Sequence, residues 1–174
     1  MAENSAIEWC DHTFNGWEGC QKVGPGCYHC YAETRNIRFA GGQNWGPGAP
    51  RRRTSPANWK LPHRWNRDAA AFREAHGHWP RVFCSSLSDV FDNAVDPAWR
   101  KDLWELIRAT PNLRWILLTK RVGNIAGMLP FGWLEGDFDH VGLMITVVDQ
   151  AEADRDVPKL VNVPIAARQW FGIS

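Results

Sequence analysis

Three short apolar runs constrain the fold of this chain more than any other feature. Arg81 to Ser85, Arg114 to Thr119 and Val141 to Val147 are apolar at consecutive rather than alternate positions. That pattern belongs to strands buried on both faces of a parallel sheet. Parallel neighbours need crossovers of a dozen residues or more, and the segments between these runs exceed that length. Pro97 to Thr110 reads as one crossover helix: Asp96 is placed as N-cap, Pro97 takes the first position, and Trp99, Leu103, Leu106 and Ile107 share a face. Gln150 to Val161 reads as a shorter helix with Glu152, Asp154 and Asp156 in its early turns. A strand from about Ser5 to Phe14 and another from Arg168 to Ile173 bring the expected number to five. Strands alternating with helices give an α/β fold with right-handed crossovers.

One segment breaks the alternation. Residues 41–65 are rich in Gly, Pro, Arg and Trp, and read as a long irregular insertion. No repeat beyond the strand–helix alternation is present. The 174 residues suit one domain, residues 1–174, with a real core. Twenty basic against nineteen acidic residues give +1, so no global field recruits nucleic acid or a membrane surface. No apolar run approaches the ~18–20 residues of a membrane span, and the polar start Met1 to Ser5 lacks a signal-peptide core. An odd count of five cysteines argues against a disulfide scaffold. The expected compartment is the reducing cytoplasm, without membrane contact.

Three of those cysteines fall within eleven residues, spaced Cys20-x6-Cys27-x2-Cys30. Gly24, Pro25 and Gly26 force a tight turn between the first and second thiols. A Cys-x2-Cys pair holds one metal centre from a single turn. Three thiolates brought together would repel one another without a cation between them. Four thiolates close a zinc site or fully ligate an iron–sulfur cluster, whereas three on a cubane leave one iron open to another ligand. A zinc knuckle completed by Cys10 or His29 is the alternative on spacing alone. Cys84, inside an apolar run, reads as a small packed hydrophobe.

Parallel α/β folds bind ligands at the carboxyl ends of their strands. There the chain places Asn15, then Ser86, Ser88 and Asp89, then Lys120 and Arg121, then Thr146 and Asp149. A carboxylate beside Ser88 suits an ammonium or ribose hydroxyls, and Lys120 or Arg121 suits a carboxylate. The competing reading makes Asp89 a helix cap and Lys120-Arg121 a solvated pair. Glu33 and Arg35 follow the cysteine loop on a helix expected over Tyr28 to Phe39. Eleven tryptophans exceed what one core readily hides. Arg51, Arg52 and Arg53 with Trp45 and Trp59 mix cations with stacking groups, the composition of a partner-binding surface for single strands.

The cysteine loop resembles that of the radical S-adenosylmethionine enzymes, which follows the first strand of a partial (β/α) barrel. It resembles more closely a phage and prophage family of unknown function with a GC-x6-C-x2-CYAE signature. Ile7-Glu8-Trp9, Leu61-Pro62 with Trp65, Ser86 to Phe91 and Leu117 to Arg121 match in the family's order. The better-known radical enzymes have x3 before the second cysteine, and usually an aromatic where this chain has His29. The resemblance implies a shortened partial barrel of about five parallel strands. It also implies a 4Fe-4S cluster on Cys20, Cys27 and Cys30, with S-adenosylmethionine held by Asn15, Ser88, Asp89, Lys120 and Arg121. Kinship to a DNA-photoproduct repair enzyme implies nucleic acid as substrate. A second expectation is a non-catalytic binder of a host protein complex, such as an inhibitor of a host defence system.

Overall fold

The computed structural model describes residues 3–174. In chain order the elements are β1 His12–Phe14, β2 Trp17–Glu18, α1 Tyr31–Ala40, β3 Arg52–Arg53, α2 Pro56–Trp59, α3 Leu61–His76 and β4 Arg81–Cys84. Then come α4 Pro97–Arg108, β5 Arg114–Thr119, α5 Ile125–Met128, β6 Val141–Ile145, α6 Gln150–Val161 and β7 Trp170–Ile173. Strands β1, β4, β5, β6 and β7 form one sheet in that order, every neighbouring pair parallel. Among the described residues β1 and β7 do not pair with each other, so the sheet is open, a partial barrel and not a closed one. β2 and β3 form a separate antiparallel ribbon.

Register aligns the apolar residues of one sheet face into rows. Phe14, Cys84, Leu117, Leu143 and Phe171 pair successively into one row across all five strands. The row starting at Val82 continues through Trp115 to Val141. Both rows feed one hydrophobic core, into which α4 sends Leu103, Trp104, Leu106 and Ile107. Asp96 caps α4 by accepting the Ala98 N–H at 2.8 Å, with Pro97 opening the helix. At ~25 cal/mol per Å² of apolar surface removed from water, this burial is the main favourable contribution to folding.

Three expectations need correction. The first strand is His12–Phe14 only, because residues before it form turns. The helix after the cysteine loop starts at Tyr31, not Tyr28: Pro25–Cys27 makes a short 3₁₀ turn, and Cys30 is in extended conformation at the helix cap. The irregular insertion ends about ten residues sooner than expected. Ser55 caps α2, and α3 then runs for sixteen residues with only Pro62, Trp65 and Ala69 buried. Among the described residues no helix is long and apolar enough to cross a membrane.

Candidate active site

The carboxyl ends of β4, β5 and β6 open onto one cavity, of about 590 Å³ with its mouth included. Cys20, Cys27 and Cys30 all line it. Facing them are Ser88 and Asp89 from the turn after β4, Lys120 and Arg121 after β5, and Thr146 after β6. Ser85, at the mouth of β4, holds a left-handed φ of 65°, a conformation costly for a residue with a Cβ. Its N–H still reaches the Phe14 carbonyl at 2.8 Å, so the chain turns sharply just as it leaves the sheet. Cys84 lies inside β4, fully buried, and Cys10 is buried outside the cavity lining.

A buried ionic network supports the floor. Arg121 donates to Asp89 at 3.0 Å, to the Gln21 carbonyl at 3.0 Å and to Cys20 Sγ at 3.3 Å, and lies 3.8 Å from Asp92. Asp92 in turn pairs with Arg51 at 2.7 Å. Asp89 also accepts the Thr119 hydroxyl at 2.8 Å and the backbone N–H of Phe91 and Lys120. Burial opposes the charge on Arg121, but Asp89, Cys20 and Asp92 hold its pKa above the ordinary arginine value. Burial pushes the Cys20 thiol up to about 11, although Arg121 pulls the other way. Burial thus favours the neutral thiol, and a metal bound here would have to displace its proton.

Roles divide differently from expectation within this group. Asp89 and Arg121 already have partners on nearly every polar atom, so they build the floor and leave little to offer a ligand. Asn15 does not line the cavity: its amide donates to Ser86 Oγ at 2.9 Å and accepts the Leu87 N–H at 2.7 Å, fixing the turn from below. The groups left free are Ser88 Oγ, buried without a hydrogen-bond partner, and the Lys120 ammonium, which makes no ion pair among the described residues. Trp45 closes the wall, its backbone bridged to Cys20 and its indole N–H buried without a partner.

The five residues expected on a partner surface do not form one patch. Arg51 is buried against Asp92, so its expected exposure is corrected, and Trp45 belongs to the cavity. Trp59 packs edge-on to Phe14 at 5.6 Å, with Arg53 stacked over its ring at 4.6 Å. Arg53 also bonds Asp102 at 2.6 Å, and Arg52 pairs with Glu18. Glu33 pairs with Lys22 at 3.1 Å. Glu152, on α6 and far from the loop in sequence, touches its backbone through Gly26. No local motif marked it.

The donor chemistry is thiolate-rich, but the side chains are not gathered around one point. Among the described residues no three His, Cys, Asp or Glu side chains converge closely enough to hold a single metal ion. The three thiols line one cavity, and an Arg121 N–H reaches the Cys20 sulfur. Thiolates suit an iron–sulfur centre, and hydrogen bonds to sulfur tune it.

No curated protein is similar enough to match. Among solved structures, the chain is similar to a variant of spore photoproduct lyase with bound AdoMet and dinucleoside spore photoproduct. It is equally similar to a second variant of that lyase and to its complex with dinucleoside spore photoproduct. In each case the TM-score is 0.58 at 14% identity, covering 99% of this chain and 47% of the other. The chain thus spans about half the length of these neighbours, and the likeness is one of fold. At the level of sequence, residues 4–173 match the model of a family described as protein of unknown function (DUF5131), and the chain belongs to that family.

Proposed function

We propose that the chain is a radical S-adenosylmethionine-like protein. It would hold a 4Fe-4S cluster on Cys20, Cys27 and Cys30 and bind S-adenosylmethionine in the same cavity, with nucleic acid as the substrate class. One observation carries this reading: three thiols share a cavity with a free ammonium and a free hydroxyl at the carboxyl edge of a parallel sheet. The fold of a lyase whose structure contains AdoMet and a dinucleoside photoproduct supports it. The chemistry such a pair supplies when bound is delivery of one electron to the sulfonium, which generates a reactive radical.

The chain's own residues then have definite tasks. Arg121, braced by Asp89 and Asp92, donates to the Cys20 sulfur and offsets thiolate charge in a buried setting. Lys120 offers its ammonium to the ligand's carboxylate. Ser88 Oγ meets a ligand hydroxyl or ammonium, a partner it lacks within the protein. Phe83, Leu118 and the Tyr31 ring, whose hydroxyl is tied to the Ser86 carbonyl at 2.6 Å, supply apolar wall that limits water. A non-catalytic binder of a host protein complex is the second reading, favoured by Tyr28 in the cysteine loop and Ile37 and Phe39 on α1, all exposed.

Anaerobic reconstitution with iron and sulfide tests the first reading. Broad visible absorption is expected, lost in C20S, C27S or C30S and kept in C84S. With reducing agent and S-adenosylmethionine, 5′-deoxyadenosine should exceed that of the triple cysteine variant. Replacing Lys120 by Ala should weaken binding of S-adenosylmethionine by roughly tenfold or more. Stoichiometric zinc in place of iron, or a host complex captured equally by the triple cysteine variant, would overturn the reading.

A further inference from the structure

Behind the cavity lies a smaller pocket, walled on one side by the cysteine loop and on the other by α6. Glu152 sits in that wall, buried. Its carboxylate accepts the Gly26 N–H at 3.3 Å and the Val148 N–H at 3.2 Å, donors from two segments far apart in sequence. Its own N–H is capped by Asp149 at 2.7 Å, and Arg155 lies 3.6 Å from its oxygen. The loop presses close against it. A Cβ on Gly24 would fall 3.2 Å from one carboxylate oxygen, and one on Gly26 would fall 3.4 Å from the other and 3.4 Å from Lys120 Cε. Gly26 directly precedes Cys27, so this contact is made by the residue next to a cavity thiol.

We propose that Glu152 is a positioning residue for Cys27, clamping the backbone of the cysteine loop so that this thiol faces the cavity. This deepens the reading of the cavity as a thiolate ligand site and rests on it. The chemistry explains the choice of residue. Two N–H donors converge on one side chain, and an ionised carboxylate has an acceptor oxygen for each. A glutamine keeps one acceptor and turns an NH₂ toward the other donor. A buried N–H left facing a donor moves away, and Gly26 would take Cys27 with it.

Site-resolved alkylation of the cluster-free protein tests this, with iodoacetamide as probe and peptide mapping of each cysteine. E152Q should raise the rate at Cys27 by at least about fivefold and leave Cys10 and Cys84 unchanged. Asp149→Ala serves as the matched variant, since it removes the α6 cap but keeps the carboxylate–Gly26 bond. It should lower thermal stability while leaving Cys27 within about twofold of the natural rate. Reconstituted with iron and sulfide, E152Q should also lose its visible absorption faster than Asp149→Ala. An E152Q rate at Cys27 within twofold of natural would overturn the proposal. So would a rise shared equally by Cys10 and Cys84, which would mean general loosening. The alkylation needs no cluster, so failure of the unsubstituted protein to assemble one would count against the site's reading and leave this measurement to stand.

Discussion

Arg121 links a thiol sulfur, a backbone carbonyl and two carboxylates, and its environment makes it vulnerable. Both it and Asp89 are only 6% exposed, so neither charge is rehydrated if the other is removed. Breaking such a buried pair from one side costs about 3–5 kcal/mol. D89N should therefore lower the melting temperature by on the order of 10 °C in a chain of this size. The double variant D89N/R121M leaves no orphaned charge between those two positions, keeps an acceptor oxygen for Thr119 and Phe91, and should regain part of that loss. Thermal denaturation of the two variants beside the natural protein checks this; equal or greater loss in the double variant would mean the pair is not the source. Residue identity here was readable from sequence, because the edge rule for parallel sheets selects Ser88, Asp89, Lys120 and Arg121. Their division of labour was not. Which of four polar groups is already satisfied depends on Thr119, Gln21 and Phe91, contacts that only tertiary structure supplies.

Among the elements, β7 shows how one small residue fixes a docking. Gly142 in β6 pairs with Trp170, whose indole lies across it: a Cβ there would come within 2.1 Å of the ring. No flexible tip can yield, since the obstacle is a rigid bicycle. G142A should displace Trp170 and loosen β7, costing about 1–3 kcal/mol as overpacking does. Amide exchange should accelerate at residues 170–173 well beyond its change in β4 and β5. Uniform acceleration across the sheet would instead indicate global destabilisation. β4, β5, β6 and α4 were readable because each carries an unbroken apolar run or a complete cap. α3 was not, because only Pro62, Trp65 and Ala69 mark its buried stripe and its start lies in Gly/Pro-rich sequence. The cysteine loop announced itself through spacing. Glu152, 126 residues from Gly26, had no such signal.

For the molecule as a whole, buried titratable groups bound a window of greatest stability. Burial lowers the pKa of His12 and of His140, so the folded state prefers both rings neutral. Their contribution is complete above the unfolded value of about 6.5 and is lost as pH falls below it. Burial also pushes Cys20 up to about 11 and Cys84 up to about 12. Thiols raised in this way stabilise fully below their unfolded value near 9, and that stability is lost as pH rises through the folded values. Urea denaturation of the cluster-free protein should give a midpoint that is flat between about pH 6.5 and 9 and falls on either side. C84S should flatten the alkaline limb and H140Q the acid one; limbs unchanged in both variants would assign the window to other groups.

The spatial order of the five strands is also their order along the chain. A sheet of this kind can be laid down strand by strand during synthesis, each new strand meeting an edge already in place. The thiols do not share that advantage. Cys20, Cys27 and Cys30 leave the ribosome before any of the residues facing them from β4, β5 and β6, and Glu152 follows Cys30 by about 120 residues. At ~10 residues per second, that leaves the nascent loop open for on the order of ten seconds. During that interval its sulfurs are accessible to oxidants and to whatever delivers metal, and the later half of the chain then closes over the choice that has been made.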